Sequence, residues 1–141
     1  MAVAVIAAAA WWTARPSGYA TPGECLDAYY DASSAGDAVR YLGCLAEPLR
    51  TETRRRFAGD ADLVPAVRSG AAGLKNRVQQ GDGAADGADR IVEVEEVRIP
   101  GIRRVRFRLR LTGGSWLIAA IETGPEAPAD VPYGTHMSKV P

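Results

Sequence analysis

Histidine occurs once in this chain of 141 residues, at His136, and cysteine twice, at Cys25 and Cys44. A Ser-His-Asp or Cys-His arrangement would therefore have to fold the proline-rich stretch around His136 back into a pocket. Without a second histidine or a His/Asp cluster the sequence offers no metal site, and without a C-x-x-C it speaks against zinc and thioredoxin-type chemistry. No glycine-rich loop follows a strand pattern to cradle a phosphate, so no cofactor is implied. Net charge is missing as well. Lys+Arg and Asp+Glu balance at 17 each, which leaves no field to draw in nucleic acid or an anionic membrane. Only two phenylalanines stand among an apolar share of 47%, much of it alanine, so the core should be modest. The length suits one domain.

What is present begins with residues 1–12, uncharged and almost wholly apolar. The run is shorter than the roughly 20 residues that span a bilayer, and it has the length of a signal-peptide core. Gly18 and Ala20 follow at the spacing a signal peptidase prefers. Residues 1–20 are thus expected to be a signal peptide or an N-terminal membrane anchor, and the protein extracytoplasmic: secreted, periplasmic or membrane-anchored. The alternative is a cytoplasmic protein whose N-terminal helix docks on the domain and buries Trp11 and Trp12.

Helical patterning starts at residue 21. Thr21 suits an N-cap, Pro22 the first helical position and Glu24 the acid of a capping box, and Leu26, Tyr29, Tyr30 and Ser33 form a stripe. Ala35-Gly36 ends this helix, and Asp37 caps a second whose apolar residues are Val39, Tyr41, Leu42 and Leu45. Cys25 and Cys44 flank the corner. In an antiparallel helical hairpin rising about 1.5 Å per residue their offsets from it differ by about 4 to 5 Å, so a disulfide is feasible. It would stabilise the fold by about 3 kcal/mol in the chain-entropy model. Two buried thiols in a helix pair are the other reading, and the better one for a cytosolic protein.

Residues 49–57 read as a short polar helix, with Arg54, Arg55 and Arg56 on a solvated face. Residues 63–80 read as a helix weakened by Pro65, Gly70 and Gly73, with Leu63, Val67, Leu74 and Val78 inward. Residues 81–87 form an acidic, glycine-rich loop that lacks the ligand spacing and closing glutamate of a calcium site. Three strands follow, over residues 91–99, 103–112 and 115–122, as an antiparallel meander. In the middle strand Val105, Phe107, Leu109 and Leu111 face one side and Arg104, Arg106, Arg108 and Arg110 the other. The doubled Glu95-Glu96 reads as a bulge that leaves Glu93 and one of the pair opposite the arginines. Residues 116–121 are apolar on both faces, so the third strand is expected to be central or covered by a partner, as in a homodimer through the sheet face. Residues 124–141, with four prolines, read as an extended tail. The fold class is α+β, with its domain over 21–123.

The helix ending in Ala35-Gly36-Asp37, the further helices, and a meander closing on Trp116-Leu-Ile-Ala-Ala-Ile121 resemble the NTF2-like superfamily, which includes ketosteroid isomerases and SnoaL-type cyclases. The chain is also similar to small exported bacterial NTF2-like proteins of unknown function. The resemblance implies N-terminal helices packed on a curved antiparallel sheet, forming a cone. It places Tyr29 where ketosteroid isomerases carry an oxyanion-binding tyrosine, and the general-base aspartate near Thr53, with Glu52 adjacent. The base is missing or displaced, in a region that reads as helix where the family has a strand. The function expected is accordingly a non-catalytic exported module that binds a small molecule or protein partner through a pocket, with Tyr29, Tyr30 and Trp116 as its aromatic contacts. The alternative is a small-molecule isomerase, cyclase or hydrolase using Tyr29 with Asp31, Glu52 or Glu122.

Overall fold

A computed structural model describes residues 18–128 apart from 58, 59, 80 and 100. The expected signal peptide or anchor, Trp11, Trp12 and His136 lie outside the described residues. Among the described residues four helices, α1 (Pro22–Ala35), α2 (Ala38–Gly43), α3 (Leu49–Arg55) and α4 (Asp60–Ala71), precede five strands. These are β1 (Leu74–Gln79), β2 (Ala84–Asp86), β3 (Asp89–Arg98), β4 (Gly101–Thr112) and β5 (Ser115–Pro128). The architecture is α+β: helices, then one antiparallel sheet in the order β1-β3-β4-β5, with β2 also paired to β3. Among the described residues no helix is long and apolar enough to cross a membrane.

The first corner forms as its residue types dictate. The Thr21 side chain accepts from the Glu24 N–H, and a Glu24 carboxylate oxygen accepts from the Ala20 N–H at 2.9 Å, so two otherwise orphaned helix-end donors are met reciprocally. Gly36 takes φ 69°, which lets its N–H and that of Asp37 return to carbonyls of the last turn of α1. Asp37 then caps α2 through the Arg40 N–H.

The core lies between the helices and one face of the sheet. Val92, Val94, Val105, Phe107, Leu109 and Ile118 pack there against Leu26, Tyr30, Leu42, Leu45, Leu63 and Val67. Alternation along β4 keeps Val105, Phe107 and Leu109 inward, while Leu111, near the strand end, is 53% exposed. Val39 is 78% exposed, because α2 turns only Ala38 and Leu42 fully inward.

Four sequence expectations need correction. The helix expected over 63–80 stops at Ala71, where Gly73 adopts φ 80°, and the chain returns as β1. At the sheet edge β1 pairs on one side only and needs little apolar pattern, so its Lys75, Asn76 and Arg77 disguised it. The acidic loop at 81–87 contains β2. Glu95-Glu96 makes no bulge against β4: pairing runs unbroken from Asp89↔Arg110 to Val97↔Ile102 and turns Glu96 into the core. The irregularities fall instead between β4 and β5 and between β1 and β3. Finally, β5 is an edge strand rather than a central one, and it continues to Pro128 through residues expected to be tail. An edge tolerates Pro125 and Pro128 because it need not donate outward. Part of that edge is covered: Trp116 N–H donates to Tyr19 O at 2.9 Å, Ile118 N–H to Cys44 O at 2.8 Å, and Ala46 N–H to Ile118 O at 2.7 Å.

Candidate functional site

Helices α1 to α4 and strand β5 border a cavity of about 340 Å³. Its apolar wall comes from Leu49, Phe57, Leu63, Val67 and Ile121, of which Leu63 and Val67 are buried. Its polar groups are the hydroxyls of Tyr29, Tyr41, Thr53 and Thr123 and the guanidinium of Arg56. The lining contains no aspartate, glutamate or histidine.

Tyr29 is held by other aromatic rings. Phe107 and Tyr30 stand edge-on to it at 5.5 and 5.3 Å, and the Tyr41 ring is tilted at 5.0 Å. Such pairs contribute about 0.5 to 1.5 kcal/mol each beyond the area they bury. The Tyr29 and Tyr41 hydroxyls are 3.5 Å apart, longer than a well-formed O–H···O bond, so neither satisfies the other fully. Burial, then the neighbouring Tyr41, pushes the Tyr29 phenol well above its ordinary value, and it remains a neutral donor.

Of the sequence-derived aromatic contacts, only Tyr29 lines the cavity. Tyr30 points elsewhere: its hydroxyl donates to Glu96 Oε2 at 2.7 Å, and the Arg77 guanidinium stacks 4.4 Å from its ring centroid. Trp116 packs against the core away from the cavity. The candidate acids are not brought in either. Asp31 and Glu52 are exposed on α1 and α3, and Glu122 lies 3.9 Å from Arg106 in an exposed ion pair. What sequence reasoning missed is Thr53, Arg56 and Phe57, and Tyr41 it took for packing alone. Their only signal was a polar helix, and which of three consecutive arginines borders the cavity depends on how α3 docks.

Two other clusters gather most of the carboxylates of the sheet. On the core face, Glu96 accepts from Arg98 at 3.0 Å and from Arg103 at 2.7 and 3.1 Å, besides Tyr30. On the outer face, Arg104 pairs with Glu95 at 3.8 Å and Arg106 with Glu93 at 3.1 Å. Arg108 meets Asp86 at 2.7 Å and Asp89 at 3.1 Å, and Arg110 meets Asp89 at 3.0 Å. Hydrogen bonds from Arg110 and Arg108 hold the Asp89 carboxyl below its ordinary range. This arginine row is neutralised by partners from β2, β3 and β5, so it offers no free anion-binding surface.

Cys25 and Cys44 are buried free thiols, not the feasible disulfide. Each sulfur has a backbone acceptor, Cys25 toward Cys44 O at 3.6 Å and Cys44 toward Arg40 O at 3.3 Å, and the Tyr19 hydroxyl lies 3.5 Å from Cys44 Sγ. Contact with Cys44 and burial push the Cys25 thiol up. Cys44 is the member of the pair whose thiolate is favoured, first by Cys25 and then by Tyr19. Neither sulfur borders the cavity. Among the described residues no group of three or more His, Cys, Asp or Glu side chains is placed to hold a metal ion.

No protein-family model, curated protein or solved structure matches the chain.

Proposed function

We propose that this chain is a non-catalytic NTF2-like module that holds a small molecule in the cavity beneath α1 to α4. The observation that carries the reading is the composition of the lining: a cavity of about 340 Å³ walled by apolar side chains, hydroxyls and one guanidinium, without a carboxylate or imidazole. Sites for small ligands are mostly apolar concavities of roughly 300 Å³ or more with a few placed polar groups. An isomerase or cyclase needs, in addition, a base within about 3 Å of the proton it removes. Thr53 stands where the resemblance to ketosteroid isomerases would place that base, and Thr53 lines the cavity with a hydroxyl that cannot serve. The neighbouring Glu52 is exposed. The same resemblance would make Tyr29 an oxyanion donor, and the cavity lining holds no aspartate, glutamate or histidine to generate the oxyanion.

The test uses 4-phenylbutan-1-ol as a neutral probe. Titration followed by methyl NMR is expected to shift Leu63, Val67 and Ile121, and Ala66→Trp, which fills the cavity from α4, is expected to abolish those shifts while leaving the fold intact. Incubation with a β,γ-unsaturated ketone is expected to give no conjugated enone beyond the buffer rate. Absence of any cavity shift would defeat the binding reading, and enone formation lost in Tyr29→Phe would establish the enzyme instead.

A further inference from the structure

We infer that the cavity selects small amphipathic monoanions, a carboxylate head meeting Arg56 and an aliphatic or aromatic body lying on Leu63, Val67 and Ile121; this rests on the binding reading above. The charge of the lining has one sign, because Arg56 is its sole ionised residue type. Among the described residues the Arg56 guanidinium makes no ion pair and no side-chain hydrogen bond, whereas Arg98, Arg103, Arg106, Arg108 and Arg110 of the sheet each meet a carboxylate. A guanidinium has five donors and no acceptor, and its planar fork fits a carboxylate. The run Arg54 to Arg56 divides accordingly: Arg54 borders a separate surface hollow beside Val39 and Leu42, and only Arg56 faces the cavity.

The hydroxyls complete the preference. The contact between the Tyr29 and Tyr41 hydroxyls is long, 3.5 Å, and it engages at most one of their two protons, so the pair retains a donor for a ligand. Tyr29 stays protonated through burial, so it can donate to an anionic oxygen and cannot itself repel one by ionising. An ammonium head would meet Arg56 and no compensating carboxylate, a mismatch that rejects cations as firmly as the fork favours anions. The exposure of Arg56 places the head toward solvent, and the buried Leu63 and Val67 place the body inward. Nothing in this arrangement calls for a covalent step.

Isothermal titration of the full chain with 4-phenylbutyrate, 4-phenylbutan-1-ol and 4-phenylbutylamine, which share one body and differ in the head, tests the inference. The carboxylate is expected to bind about tenfold more tightly than the alcohol, the scale of one charge-assisted hydrogen bond, and the amine to bind most weakly. Arg56→Gln should remove the carboxylate's advantage over the alcohol, Arg56→Lys should restore part of it, and Arg54→Gln should leave it as in the parent. Because Arg56 is exposed, an unaltered ¹H–¹⁵N spectrum will show that the variant is folded. Equal binding of the amine, or a carboxylate preference that survives Arg56→Gln, would overturn the inference and leave the binding reading standing, since the alcohol would still titrate. If none of the three heads gives binding, both fall together.

Discussion

Glu96 shows how much one side chain can depend on register. It is 4% exposed, and its two oxygens receive hydrogen bonds from Tyr30, Arg98 and Arg103. Two arginines share this buried carboxylate, and removing it leaves Arg103 without its acceptor and Arg98 with only the Gly70 and Ala72 carbonyls. Glu96→Ala is therefore expected to cost about 3 kcal/mol or more, because an unpaired buried charge is far dearer than the pair was favourable. Glu96→Gln should cost less, retaining an acceptor for Tyr30. Urea denaturation measures both, and an alanine variant within 1 kcal/mol of the parent would show the cluster to be well solvated.

At the scale of elements, the α1–α2 corner is fixed by local chemistry, whereas the sheet is fixed by pairing. Gly36 sits at φ 69°, and a Cβ there would lie 2.7 Å from the Arg68 guanidinium, which itself donates to Ala35 O at 3.2 Å. Gly36→Ala should thus lose about 1 kcal/mol, set by the left-handed backbone, since the exposed end of Arg68 can swing aside at little cost. Thermal unfolding reads the loss, and a variant as stable as the parent would mean that the corner relaxes without strain. The strands are different. β1 holds exposed Lys75 and Asn76 and an inward Arg77 that reaches Tyr30 and, at 2.8 Å, Asp27; its existence is decided by β3 beside it. Residues 116–121 are apolar for a comparable reason: the inward face packs on the core, and part of the outer edge is covered by the segments at Tyr19 and at Cys44–Ala46.

For the molecule as a whole, burial acts on the tyrosines in one direction. Desolvation is the largest cause of the raised phenol values of Tyr19, Tyr29 and Tyr30; the hydrogen bond to Glu96 adds to Tyr30, and contact with Cys44 to Tyr19. A folded-state value above the unfolded one means that the native fold favours the proton. The stability these groups contribute is fully present below the unfolded value of about 10 and is lost as pH rises through the folded values. The domain should therefore remain native through mild alkali and then unfold cooperatively, with the three phenols ionising late and together. Phenolate absorbance followed alongside near-ultraviolet circular dichroism checks this. Ionisation of all three near pH 10, with the aromatic signal unchanged, would contradict it.

The sequence by itself determined the α+β class, the capped corner at residues 21–37 and the alternation of β4, because each follows from interactions a few residues apart or from a strict period of two. Only the tertiary structure decided that residues 74–79 are a strand, that Glu96 rather than Glu95 faces the core, that Cys25 and Cys44 stay unbridged, and that Arg56 rather than Arg54 borders the cavity. Those outcomes depend on which element lies alongside. Edge pairing, strand register and the docking angle of a short polar helix are set by partners distant in the chain, and such partners leave little trace in local pattern.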